Sequence, residues 1–407
     1  MTTRAMLVAL FLCCAAAAGG QSVAPAAGQD ARRDAGAAAQ QQPEVTAAAL
    51  RAAIDQLGNL DYQTRTDASR TVRRAQATIA VPALIDAVTS HKDGYVRFRA
   101  LVLLSGFNDP RAKSVVLSLL VDPNDRVRAT AYAWFEYHPA PDAVPIMLKA
   151  LEREESEFVR PALTRALASS GGDDPKVRDA MKVLVNRGED FFRAEVIDAV
   201  GDYKAAYVFP ELVKIAQNAG PLQDDAVLAL GKIGDKRALE TFAALQRTAP
   251  RDVQPSIAAA ICLLGVNCAA HLGYLGETLR FGIRNAGFQE LLRPAVAGLG
   301  ALAARGDAAA FQVLIDEGIP SQDPARAPIA LALGTVAVRN PQFTVSSLEK
   351  QQNLEGAIDL LREAFDMLEE DYDKEQFYIA VRKLYWQSEP GSPTRRVSGM
   401  LIQKLDF

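Results

Sequence analysis

Tyr95-Val96-Arg97-Phe98-Arg99-Ala100 sets a pattern that recurs along the chain. An apolar residue, then Arg, then small and apolar residues at helical spacing return in Arg126-Val127-Arg128-Ala129-Thr130-Ala131, in Phe158-Val159-Arg160-Pro161-Ala162-Leu163 and in Phe191-Phe192-Arg193-Ala194. A weaker early copy surrounds Arg65, and Leu222-Gln223 and Val253-Gln254 put Gln where Arg stood. From Arg65 to Gln254 the spacings are 32, 31, 32, 33, 30 and 31 residues. A period of this size marks stacked two-helix units and has to be recognised before domains are counted. Leu292-Arg293-Pro294-Ala295 follows after 39 residues and Ala325-Arg326-Ala327-Pro328 after a further 33, so an insertion is expected near 265–290.

The first helix of a unit shows an apolar stripe at i, i+3 and i+4, as in Val81-Pro82-Ala83-Leu84-Ile85-Asp86-Ala87-Val88 and Ala143 to Leu151. Asp109-Pro110, Asp174-Pro175 and Asp323-Pro324 are expected to open such helices, since Asp caps free N–H groups and Pro suits the first turn. Asp93, Asp125 and Asp190 are expected to open the second helix in the same way. Strand signals are weak throughout. The Val-Arg pairs, together with Ala229-Leu230-Gly231-Lys232-Ile233-Gly234-Asp235, resemble the HEAT-like repeat family, in particular the short bacterial type also found in phycobiliprotein lyases. The resemblance covers roughly residues 45–340 and implies an all-α, right-handed α-solenoid of about nine or ten helix pairs, its second helices lining the concave face. Residues 341–407 leave the period and are expected to form a helical cap and tail, through amphipathic helices at Leu354–Phe365 and Glu375–Trp386. The last residues, from Met400 on, would dock on the solenoid, dock on a partner or stay disordered.

Around this array the composition sets bounds. The 407 residues are 49% hydrophobic and 23% charged with a net charge of −4, which argues against a dedicated nucleic-acid binder. The longest apolar run is N-terminal: Arg4, then Ala5 to Cys14, then Ala15 to Ala18, which describes a secretory signal peptide over 1–18. Cleavage would leave no membrane span; an uncleaved anchor is the alternative, and Leu12 before Cys13 disfavours lipidation. Residues 19–44, rich in Ala, Gln and Gly, read as a flexible linker. The expected fate is export, periplasmic or extracellular.

The recurring Arg65, Arg97, Arg128, Arg160, Arg193, Arg293 and Arg326 are expected to bond Asp or carbonyl groups of the neighbouring turn and hold the stacking register. Binding a ligand is their other possible role. Counting from the apolar residue before each Arg, offsets 4, 5, 7 and 8 should be core, and offsets 3, 6 and 9 should face out. The outward set begins with Arg99 and Arg165 and turns acidic at Glu195, Asp198, Asp224 and Asp225, with Glu136 at offset 9. Such a strip would steer a basic segment of a protein or peptide partner, although an ordinary solvated helix face would read the same. In the aromatic cluster Tyr132 to His138, Trp134 and Phe135 should be core, whereas Tyr137 and part of Tyr132 could anchor a partner.

Cys262 and Cys268 are a disulfide candidate in an oxidising compartment. Six residues of straight helix would hold their Cα atoms roughly 9 Å apart, so the bond requires the helix to end near Gly265. A Zn site with His271 would lack a fourth ligand. Nucleotide-loop, metalloprotease and nucleophile-elbow motifs are absent from the sequence. HEAT-like metal hydroxylases use His-Glu pairs, and His91-Lys92, His138-Pro139 and His271-Leu272 do not supply them. The lyase relatives act on cytoplasmic bilin proteins, a poor match for a leader sequence. No catalytic residue, metal or cofactor is therefore assigned. The expectation is a non-enzymatic scaffold binding a partner along its groove, with an enzyme or enzyme subunit of unrecognised site as the alternative.

Overall fold

Several helices of the array begin where a polar side chain satisfies the free N–H groups of the helix start. Asp61, Asp93 and Asp174 accept from Thr64, Tyr95 and Lys176 N. Asp125 and Asp190 lie one residue inside their helices: Asn124 caps the first, and Glu189 precedes the second without a side-chain bond. After Asp109-Pro110 and Asp323-Pro324 the helices start later, at Ala112 and Arg326.

The computed structural model describes residues 44–367 and 372–405. The expected signal peptide, and the expected linker as far as residue 43, lie outside the described residues. Val45–Phe407 form one compact unit with 22 α-helices and, among the described residues, no strand. They pair as an α-solenoid, nine pairs from Ala47 to Arg339 and two more from Pro341 to Lys404. The 39-residue unit absorbs its extra length in a 17-residue first helix, Cys268–Arg284, and a following 3-10 turn, Ala286–Leu291. In the C-terminal region, Leu354–Met367 and Tyr372–Gln387 are helices, and Pro393–Lys404 docks on the array through buried Val397, Leu401 and Leu405. Helix Gln254–Leu263 ends before Gly265, whose φ of +77° turns the chain, and Cys262 bonds to Cys268 with Cα atoms 4.3 Å apart.

The register arginines tie three pieces of chain together. Arg97 Nη1 donates to His91 O at the end of the preceding helix (3.0 Å), while Nε and Nη2 grip Asp122 of the next unit (3.0 and 2.7 Å). Arg128 repeats this with Asp122 O and Glu154, and Arg326 with Gly318 O, Ile319 O and Glu363. Arg65 and Arg193 keep the carbonyl bonds. Gln223 and Gln254 do as well, donating to Ala216 O and Ala249 O, but an amide offers no charge for a neighbouring acid. Arg160 instead stacks its guanidinium 4.0 Å from the Phe192 ring centre. Arg293 leaves this scheme and pairs with Asp224 and Asp225.

Second helices of neighbouring units approach through small residues. A Cβ on Gly231 would lie 2.5 Å from Ala260 Cα, one on Gly201 3.0 Å from Ala229 Cα, and one on Gly298 2.7 Å from Ala259 Cβ. Close approach on this side bends the stack inward. Opposite walls of the concave face then meet: Arg339 reaches Glu136 and Asp202, and helix Tyr372–Gln387 reaches back to Arg73, Ser105 and Tyr137. Offsets 3 and 6 are thus largely covered rather than turned outward: Val102, Thr130, Ser256 and Ala259 are buried. Apolar packing forms two clusters, Val45 to Leu264 together with Tyr372, and Ala258 to Leu405, which share helix Gln254–Leu263.

Replacing Arg128 with Ala strands Glu154 and two carbonyls, and should cost about 3 kcal/mol in urea unfolding. Arg128→Gln, which keeps the carbonyl bond as Gln223 does, should cost about 1.5 kcal/mol. Gly231→Ala should destabilise by about 1–3 kcal/mol through overpacking. Gly273→Ala, on a helix with open space around it, should instead stabilise by up to about 1 kcal/mol.

Candidate functional site: the concave face

The inner face is built by successive second helices, Gly94–Ser105, Asp125–Tyr137, Arg160–Ser170, Asp190–Asp202 and Gln223–Ile233. At its centre Arg165 donates Nε to Glu136 (2.8 Å), Nη1 to Asp198 (3.0 Å) and Nη2 to Asp202 (2.8 Å). Lys232 Nζ bonds Asp198 and Asp202, and Tyr203 OH donates to Glu136 at 2.7 Å. Arg339 closes the network from the far wall, 3.3 Å from Glu136 and 2.9 Å from Asp202.

Within this network burial is opposed by counter-charges. Lys232 and Arg165 outweigh the desolvation of Asp198 and hold its carboxyl down to about 2. Burial pushes Asp202 up, helped by the charge of Asp198 and opposed by Lys232. Burial likewise raises the Tyr203 phenol above its ordinary range, with Glu136 adding to the shift. Arg165, desolvated but ringed by three carboxylates, is held well above its usual value.

The residues expected to receive a partner therefore divide. Glu136, Arg165 and Asp198 belong to the cross-axis network, and Asp224 and Asp225 pair with Arg293 two units on. Arg99 donates to Ser69 of the preceding unit. Tyr132 is a correction: its ring is fully buried and its OH donates to Leu120 O, so it packs the core and anchors nothing. Tyr137 is half-buried and its OH donates to Asp373 of the last units. Glu195 alone of the acidic set makes no ion pair among the described residues, and burial, reinforced by Asp198, pushes its carboxyl up. Sequence reasoning missed Asp202, Lys232 and Arg339. The first two lie at offset 10, one residue past where the outward face was ended, and helical spacing from offsets 3 and 6 carries that face to them.

One section of the inner face stays open. A pocket of about 370 Å³ lies between Phe98, Arg126, Phe158, Ala162, Met367 and Tyr372, with Glu136 and Arg165 at its inner end. Phe158 and Met367, both lining it, are 58% and 47% exposed. Arg126 places its guanidinium about 6 Å from both the Phe98 and Phe158 rings.

Metal-ligand geometry occurs once among the described residues, where Cys262, Cys268 and Asp307 bring ligand atoms within 4.8 Å of one another. Both sulfurs are committed to the disulfide, and Asp307 caps Ala309 and Ala310 N. His138 stacks on Trp134 and bonds its carbonyl. No helix among the described residues is long and apolar enough to cross a membrane.

The unpaired Glu195 makes a pH-dependent outcome testable. Its folded-state pKa lies above the ordinary value near 4, so the ionised form weakens the fold at neutral pH, and that penalty fades as pH falls through the raised pKa. Glu195→Gln should raise Tm at pH 7.5, with the gain shrinking toward pH 4 in a melting series. Asp198 runs the opposite way, its contribution being lost as pH falls from about 4 through about 2.

Comparison with known proteins follows the same lines. The family model described as HEAT repeats matches residues 37–134 and 114–199, and that of the PBS lyase HEAT-like repeat matches residues 222–248. No curated protein matches the chain. Among solved structures, Escherichia coli YibA is 18% identical over 54% of this chain and 82% of its own, with a TM-score of 0.40. The CpcE–CpcF complex of phycocyanin lyase from Nostoc is 20% identical over 55% of this chain and 89% of its own, with a TM-score of 0.33. Importin beta is 13% identical over 88% of this chain and 54% of its own, with a TM-score of 0.41. Such distant likenesses carry no weight for function. Repeat period, paired helices and both family matches agree, and the chain is a HEAT-like repeat protein.

Proposed function

We propose that this chain is an exported, non-enzymatic HEAT-repeat scaffold, periplasmic or extracellular, that holds a segment of a protein partner in the open section of its concave face. The observation that carries this reading is the pocket between Phe98, Phe158 and Met367, where two large apolar side chains stand exposed on a face whose other residues are covered or paired. Burying them against a partner's apolar side chain is favourable at roughly 25 cal/mol per Å² of surface removed from water. A basic residue on the same segment would supply Glu195 with the counter-ion it lacks. Export is supported by the leader at residues 1–18 and by the bonded Cys262 and Cys268. The non-enzymatic reading is supported by the inner carboxylates, most of which are taken up in neutralising Arg and Lys of the same chain.

The test is capture from the native envelope fraction, with the wild-type protein beside Phe158→Glu and Glu195→Lys. Phe158→Glu is expected to reduce capture of the partner at least tenfold and Glu195→Lys to reduce it by a smaller factor, both with unchanged circular dichroism. Equal capture by all three would place the interface elsewhere.

A further inference from the structure

Ring closure creates a second cavity outside the concave-face site. Helix Tyr372–Gln387 crosses the ends of helices Tyr62–Arg74 and Gly94–Ser105. Arg73 donates to Glu375 there, lies 4.8 Å from the Tyr378 ring centre and is largely buried. Beside this contact is a pocket of about 410 Å³. Ala75, Leu103, Phe107 and Ile379 give it apolar surface, beside the Arg73–Glu375 pair that also lines it. Gly106 keeps it open, since a Cβ there would lie 3.3 Å from Leu103 O and 3.4 Å from Glu375.

The mouth has a different chemistry. Arg382, Lys383 and Trp386 line it, and all three are exposed, Trp386 by 66%. The charge of Arg73 is answered by Glu375, whereas neither Arg382 nor Lys383 forms an ion pair among the described residues. Two uncompensated cations therefore line a cavity of mixed apolar and polar surface, next to an exposed indole. The volume falls in the range of small-molecule sites, in which apolar walls bind the body of a ligand and a few polar groups orient it.

The geometry points to a binding site for an aromatic carboxylate, its ring against Tyr378, Phe107 and Trp386 and its anionic group toward Arg382 and Lys383. A free aromatic acid and a peptide ending in an aromatic residue share this chemistry. The pocket walls come from residues 73–77, 103–107 and 375–386, so a ligand bound there bridges the first and last parts of the array and stabilises the closed ring by mass action. This site stands independently of the partner reading above.

The test uses the full chain, which contains only two tryptophans, Trp134 and Trp386; Trp134 is buried. Titration with naphthalene-2-acetate should change the tryptophan emission saturably and raise Tm. The neutral naphthalene-2-acetamide should bind at least tenfold more weakly. The double variant Arg382→Glu, Lys383→Glu should lose at least tenfold in affinity at unchanged Tm without ligand. Hydrocinnamate and glycyl-phenylalanine separate the two sources, the tighter of the two identifying a free acid or a peptide end. Equal binding of acid and amide, unchanged affinity in the double variant, or no saturable response to the naphthyl acid would overturn the assignment.

Discussion

Glycine against alanine, where neighbouring second helices touch, is the contact on which the shape of this protein depends. Gly201 and Gly231 let backbone meet backbone on the inner side of the stack, and Gly298 lets its backbone meet the Ala259 methyl. A stack that is tighter inside than outside must curve, and here it curves until its walls meet. Charges on the inner face then lose their water and need partners within the protein. Glu136, Arg165, Asp198, Asp202, Lys232 and Arg339 answer that need as one network. The network follows from the curvature, and the curvature from residues with almost no side chain.

Two consequences for binding come with closure. A long groove open from end to end is replaced by a short open section around Phe158 and Met367, with room for a few residues of chain rather than an extended segment. Closure also brings residues from distant parts of the sequence into one wall, which is how Phe107 and Trp386 come to line the same cavity.

Much of the architecture was legible because each unit repeats the same local problem. Arg97, Arg128 and Arg326 stand at one period because each must satisfy the carbonyls ending one helix and an acid of the next unit. The turn at Gly265 could be argued from the reach of a disulfide alone. The inner face was harder. Periodicity tells which residues share a face, and it found Glu195 and Asp198, but it does not tell what stands opposite. Arg339 lies 203 residues from Glu136, and no local pattern links them. Tyr132 misled for a related reason: its phenol is satisfied by Leu120 O inside the core, a bond that no spacing announces. Arg293 occupies a register position, yet in the long unit it turns to Asp224 and Asp225 instead of to the preceding helix end.

The link between Arg73 and Glu375 joins residues 302 positions apart. Each helix pair can form from neighbours in sequence at little entropic expense, whereas this link requires most of the chain to be ordered first. The seam therefore sets only after the helix pairs between its two ends have formed. Along the same coordinate in reverse, the seam is the first to part, so partial opening exposes the inner charges of the array while every helix pair is still intact.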